Sequence, residues 1–220
     1  MDSCHRFGGL VVLLGVVLCA APARAKEVDV KALTQKMQKF YENSRDLKAR
    51  FVQTVESALG GRKQQGSGEV ALKKPGKMRW DYQKPEKKLM VSDGKTLWVY
   101  EPEDQQAFKQ DLRNSTLPIS VSFLFGQGKL SDEFEIAPTE EKSKPDEVVL
   151  KLIPKLATAA YRYLLFTIDE KSGLVLATTV YDQQGGVTNI QFLDVKTNQG
   201  LEDKKFSFSP PRGTHILNPQ

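Results

Sequence analysis

The sequence predicts a mainly β chain with a few helices, built as one long, antiparallel and strongly curved sheet. Three observations carry that reading. From residue 47 onward the apolar residues alternate with period two in short, evenly spaced runs, with Gly, Pro, Asn and Asp between them. The stretch KLMVSDGKTLWVY sets an Asp93-Gly94 pair between two apolar runs, a strong local signal for a tight hairpin. Helical spacing is confined to two stretches.

The first helix is expected over 29–43, where Val30, Leu33, Met37, Phe40 and Tyr41 fall at helical spacing. The period then changes. Leu47, Ala49, Phe51, Gln53 and Val55 alternate with polar neighbours, and Gly60-Gly61 turns the chain toward a strand at 68–73. Strands follow at 77–82, 88–92, 96–100 and 106–110. Residues 115–126 read as a short helix, with Ser115 or Thr116 as cap, Pro118 in the first turn and Gly126 at the end. The alternation of Ile119, Val121, Phe123 and Phe125 leaves a strand open there. Further strands are expected at 134–136, 148–153, 163–169, 174–181, 187–194 and 206–209, with polar connectors at 142–147 and 197–203.

Residues 1–25 read as a secretory signal and 26–220 as a single domain. Arg6 supplies a positive start, 7–21 form an apolar run too short to span a bilayer, and Ala23-Arg24-Ala25 fits a cleavage site. The residue before a lipidated cysteine is normally small, and Leu18 precedes Cys19, so a free exported protein is expected. Cleavage removes both cysteines, Cys4 and Cys19, and leaves His215 as the one histidine. Such a chain forms no disulfide and draws its stability from its core. The periplasm is the expected compartment.

After cleavage 30 basic residues stand against 26 acidic ones. The excess is local: Arg62, Lys63, Lys73, Lys74, Lys77, Arg79, Lys84, Lys87 and Lys88 face only Glu69, Asp81 and Glu86 in the same stretch. An exported chain has no nucleic acid to meet, which leaves an acidic protein surface, anionic lipid heads or plain solvent as what this stretch faces.

Catalytic patterns are missing. There is no Gly-x-Ser-x-Gly elbow, no mature cysteine nucleophile and no histidine pair for a metal. Gly66-Ser67-Gly68 opens a strand rather than a helix, so no phosphate cradle follows. No enzyme, metal or cofactor is expected. What stands out instead is a strand apolar on both faces, Leu97 and Val99 on one and Trp98 and Tyr100 on the other. A sheet in water normally keeps one face polar. Helices on one face and a cavity on the other would account for it, as would a filled core.

The ordered motifs Phe51-x-Gln53, Gly68-x-Val70, Lys73-Lys74-Pro75-Gly76-Lys77-Met78-Arg79-Trp80-Asp81-Tyr82-x-x-Pro85, Val91-Ser92-Asp93-Gly94-Lys95-Thr96-Leu97-Trp98-Val99-Tyr100-x-Pro102, Thr188-Asn189-Ile190-x-Phe192 and Phe206-x-Phe208-x-Pro210-Pro211-x-Gly213 run through the chain. Together they resemble the outer-membrane lipoprotein carrier family (LolA-type proteins). The resemblance implies an unclosed antiparallel β-barrel with a helical lid over an apolar cavity. It implies a monomeric chaperone that takes triacylated lipoproteins from an inner-membrane ATP-driven extractor to an outer-membrane receptor. On this reading Phe51, Val70, Leu72, Met78, Trp80, Leu89, Val91, Leu97, Val99, Ile119 and Phe123 are candidates for the cavity wall. Lys74 stands where the family commonly has Arg, at the latch between rim and lid, and Lys lacks Arg's planar fork. Lys84, Lys87 and Lys88 are candidates for docking a partner. A receptor or sensor of the same fold, and a carrier of another amphiphile such as a glycolipid, remain as alternatives.

Overall fold

The computed structural model describes residues 28–112, 123, 129–139, 141 and 144–217. The signal expected at 1–25 and most of the helix expected at 115–126, Ile119 included, lie outside the described residues; Phe123 is helical and buried.

Helix α1 spans Val30–Asn43. It starts where the Asp29 carboxylate accepts the Ala32 N–H at 2.9 Å, which satisfies one of the otherwise unpaired first-turn amides. Leu33, Met37 and Tyr41 form its buried stripe. It stops at Ser44, whose hydroxyl donates to the Phe40 carbonyl at 2.8 Å.

Twelve strands follow: β1 (Asp46–Glu56), β2 (Gln64–Lys73), β3 (Lys77–Lys84), β4 (Lys88–Asp93), β5 (Thr96–Glu101), β6 (Gln106–Asp111), β7 (Phe134–Pro138), β8 (Glu147–Pro154), β9 (Tyr163–Asp169), β10 (Val175–Tyr181), β11 (Val187–Thr197) and β12 (His215–Leu217). A short helix, α2 (Leu130–Glu133), precedes β7. The strands form one sheet in the order β12-β6-β5-β4-β3-β2-β1-β11-β10-β9-β8-β7. Neighbours are antiparallel except β12, which runs parallel to β6. The outermost strands, β12 and β7, are not paired with each other, so the sheet is unclosed.

Register decides which residues share a face. Ala49, Val70, Trp80, Met90 and Val99 lie side by side across β1 to β5, and Leu47, Leu72, Met78, Ser92 and Leu97 form the next row. On the other wing Phe51 pairs with Phe192, and Ile190 leads through Thr178 and Phe166 to Leu150. These rows face α1. The core consists of the α1 stripe with Phe51, Leu72, Met78, Phe123, Phe134, Leu150, Phe166 and their neighbours.

The strand expected at 206–209 is not formed. Asp203–Phe206 make a single 3-10 turn, and the strand of this region is β12, further on. The aromatic residues of 206–208 face the sheet from outside rather than joining its ladder.

Candidate functional site

The concave face is apolar from β5 round to β7, and its ends differ. Toward the β2–β3 turn Leu47, Ala49, Val70, Leu72 and Met78 are buried beneath α1. Toward the opposite end Trp80, Tyr82, Val180, Ile190 and Phe192 are only partly buried. Phe51 joins the two, its ring 4.9 Å from both Trp80 and Tyr82, each edge-on; Trp80 lies 6.3 Å from Phe192. Rings on a curved, half-covered wall offer a large apolar surface at little conformational cost.

Several ties hold α1 in the concavity, among them a 2.8 Å bond from the Lys36 ammonium to the Glu170 carbonyl. The Lys74 ammonium donates to the last-turn carbonyls of Tyr41 and Glu42 at 2.7 and 2.8 Å, and the Tyr41 carbonyl also accepts the Ser44 N–H at 3.2 Å. Partial burial draws the Lys74 pKa below its ordinary value, against the opposing pull of the Glu42 carboxylate. The β9–β10 turn meets the middle of α1 at Gly173, where φ is +80° and a Cβ would stand 2.9 Å from the backbone of Lys36 and Met37. Only glycine accepts both that φ and that approach. The buried Tyr41 hydroxyl accepts the Val175 N–H at 3.2 Å, and burial raises its pKa.

The convex face of β2 to β6 has a separate cover. Ala71, Val91 and Ala107 are buried there, outside the main core, and the 3-10 turn ending in buried Phe206 lies against β3 and β4. Phe208 packs against Trp98 at 5.8 Å and Tyr100 at 5.3 Å. The segment is rooted where the buried Asp46 carboxylate accepts three backbone N–H groups, from Gln199, Gly200 and Leu201, at 2.7, 2.9 and 3.1 Å. Asp203 pairs with Lys73 and Lys77, each at 2.6 Å. Those hydrogen bonds hold its carboxyl down to about 2.

Of the residues expected to line one wall, Phe51, Val70, Leu72, Met78, Trp80, Leu97 and Val99 share the concave face, and Phe123 is buried in the same core. Leu89 and Val91 do not share it. They pair with Asp81 and Arg79 on one side and with Tyr100 and Trp98 on the other, which puts them on the convex face; Met90 takes the inward place in β4. Of the two accounts left open for the apolar faces of β5, helices with a cavity or a filled core, neither named the cover of the second face, which is the C-terminal segment. Sequence reasoning passed over Tyr82, Val180, Ile190 and Phe192, although the alternation 188-190-192 was available to find the last two.

Lys74 meets the end of α1. Lys87 and Lys88 border a groove of about 500 Å³ on the convex face, with Leu89, Tyr100 and Phe208 among its lining. The Lys88 ammonium sits 5.1 Å over the Tyr82 ring. Lys84 ends β3, opposite Ser67. Among the described residues no group of three or more His, Cys, Asp or Glu is placed to hold a metal ion, and no helix is long and apolar enough to cross a membrane.

Comparison with known proteins agrees with this geometry. The family described as "Outer membrane lipoprotein carrier protein LolA" matches residues 42–209. An outer-membrane lipoprotein carrier protein of Azotobacter vinelandii is 32% identical over 209 residues, covering 94% of this chain and 97% of the relative. One of Methylococcus capsulatus is 31% identical over 184 residues, covering 83% and 86%. Among solved structures, an uncharacterized conserved protein from Thermus thermophilus superposes with a TM-score of 0.56 at 14% identity, over 86% of this chain and 98% of that one, and so shares the fold. With its open twelve-stranded sheet, its half-covered apolar concavity and these relatives along most of its length, the chain belongs to the outer-membrane lipoprotein carrier family.

Proposed function

We infer that this protein is a periplasmic chaperone that carries lipoproteins to the outer membrane, holding their acyl chains against the concave face. The observation that carries this is the half-covered wall of Trp80, Tyr82, Ile190 and Phe192, next to a helix held by a few polar contacts. The family's carriers are non-enzymatic chaperones, and holding and releasing acyl chains calls for no catalytic step here.

Magnitudes favour partial burial. A buried methylene contributes about 0.8 kcal/mol, so roughly 14 of them on one chain contribute about 11 kcal/mol. Three chains fully buried would reach about 33 kcal/mol, beyond the roughly 20 kcal/mol at which non-covalent affinities saturate. A carrier that hands its cargo on is better served by a wall already partly occupied by its own helix.

On this reading the cargo is triacylated and is received from an ATP-driven extractor in the inner membrane, then passed to a receptor in the outer membrane. Lys84, Lys87 and Lys88 dock on an acidic partner surface, which speeds association and is screened by salt. Lys74 is the latch, released when α1 moves away from the wall. Residues 1–25 are removed on export, and 26–220 work as one domain.

The test is to incubate the purified protein with spheroplasts and identify what it releases by mass spectrometry. Lipoproteins co-eluting with the chain are expected. A spectrum of glycolipid, or of no lipid at all, would overturn the reading.

A further inference from the structure

The two most exposed large hydrophobic side chains among the described residues, Leu59 at 97% and Leu156 at 81%, stand on different loops at one end of the sheet. Leu59 tips the β1–β2 connection, Leu156 the β8–β9 connection, and the β10–β11 turn lies between. The three loops are joined. Gln183 donates to the carbonyls of Thr158 and Tyr161 at 2.7 and 3.0 Å, and Arg162 donates to the carbonyl of Asp182 at 3.1 Å. On the other side, a Cβ at Gly185 would lie 3.5 Å from that of Ala58.

The setting is basic. The two loops that carry the leucines, 57–63 and 155–162, hold Arg62, Lys63, Lys155 and Arg162 and no acidic residue; Lys84, Lys87 and Lys88, with Glu86 among them, stand apart on the β3–β4 turn. The acids near them are Glu56, which pairs with Lys63, Asp182, whose carboxylate accepts the N–H groups of Gln184 and Gly186, and Glu133 of α2, beside Tyr161. The acidic β5–β6 turn, Glu103 and Asp104, lies at the far side of the same end, beyond β3 and β4. At the Leu59 tip nothing closes round the side chain, and a Cβ on Gly60 or Gly61 would meet no atom within 4 Å.

We propose that this end of the sheet is a transient docking surface for an anionic bilayer, with Leu59 and Leu156 entering the headgroup boundary and the flanking cations facing lipid phosphates. Single aliphatic side chains projecting into solvent from a basic rim suit a fluid, negatively charged surface, whereas a protein partner would need a matching pocket for each. The placement has a consequence that rests on the carrier reading. The half-covered part of the concave wall, at Tyr82, Ile190 and Val180, opens toward this end, while α1 is tied at the other. A carrier seated on its leucines turns its open end to the bilayer from which acyl chains come.

Flotation of the exported protein with vesicles tests the surface directly, comparing pure phosphatidylcholine with phosphatidylcholine containing phosphatidylglycerol. Weak, salt-sensitive binding to the anionic vesicles is expected, with about a tenfold or larger loss for the Leu59→Ser, Leu156→Ser double variant. Both leucines are solvent-exposed, so the variant should melt like the parent. Equal binding of parent and variant, or no preference for anionic vesicles, would overturn the proposal. So would loss of lipoprotein release from spheroplasts by a variant whose vesicle binding is unchanged, since that points to a protein dock. Capture of a detergent-dispersed triacylated lipopeptide, which needs no membrane, separates the two readings. The variant should keep it, and failure of the parent to show it counts against the carrier, not against the bilayer surface.

Discussion

The same inward-facing rows of β1, β3, β10 and β11 run from a packed end into a half-open one. Leu47 and Ala49 give way to Gln53 and Val55 along β1, and buried Met78 to partly buried Trp80 and Tyr82 along β3. Buried Val175 gives way to partly buried Val180 along β10. Apart from Gln53 the rows stay apolar, but the cover changes. A 14-residue helix is about 21 Å long, whereas the 11-residue β1 reaches about 36 Å. One helix tied at Lys74 and Gly173 therefore covers one end and leaves the other to something else. Apolar character along a strand marks a surface as coverable, and the length of the covering element decides how much becomes core.

The sharpest way to break this comparison is to put a carboxylate at each end. Met78→Glu, at 5% exposure, buries an unpaired charge and should cost about 3–5 kcal/mol, read as a large fall in melting temperature. Ile190→Glu, on the half-open part, can hydrate in the empty protein and should cost about 1 kcal/mol or less while abolishing lipoprotein loading. Similar melts for the two variants would mean that the ends do not differ.

The next variant asks whether the packed end stands on its own core or leans on the C-terminal segment. Asp46→Ala removes the acceptor of three backbone N–H groups and should cost about 2–4 kcal/mol in denaturant titration, with loss of the Trp98 contact to Phe208 in fluorescence. Gly173→Ala forces a methyl group against the α1 backbone at a strained φ and should cost about 1–3 kcal/mol. Hydrogen exchange should show the loss in α1 before the sheet.

Lys74→Ala deletes two bonds to the end of α1 and should cost about 1 kcal/mol, with faster exchange in the last turn and altered loading. Lys74→Arg should restore both. The smallest effect is one of pH. The Asp203 carboxyl titrates near 2 in the folded protein against an ordinary 3.8, so its contribution is fully present above about pH 4 and is lost as pH falls toward 2. Asp203→Asn should remove that acid step from the Trp98 signal while leaving the concave face unaffected.

Most elements were legible because each follows from local physics, the exceptions being the strand expected at 206–209, which is not formed, and α2 and β12, which were not expected. Period two marks a strand, the 3.6-residue stripe marked α1, and Asp93-Gly94 marked a hairpin whose Asp93 carboxylate accepts the N–H groups of Lys95 and Thr96 at 2.8 Å each. Lys74 could be singled out through the motif that contains it. The sidedness of β4 was not legible. Alternation separates Met90 and Ser92 from Leu89 and Val91, but it does not say which pair faces inward when both faces of the neighbouring strand are apolar. That choice was made by the ladder with β3, where Trp80 sits opposite Met90, and by residues 206–208, which return from far along the chain to cover the outer face. A local pattern reports that a residue wants cover, whereas the identity of the cover is a long-range contact that exists only once the chain has folded.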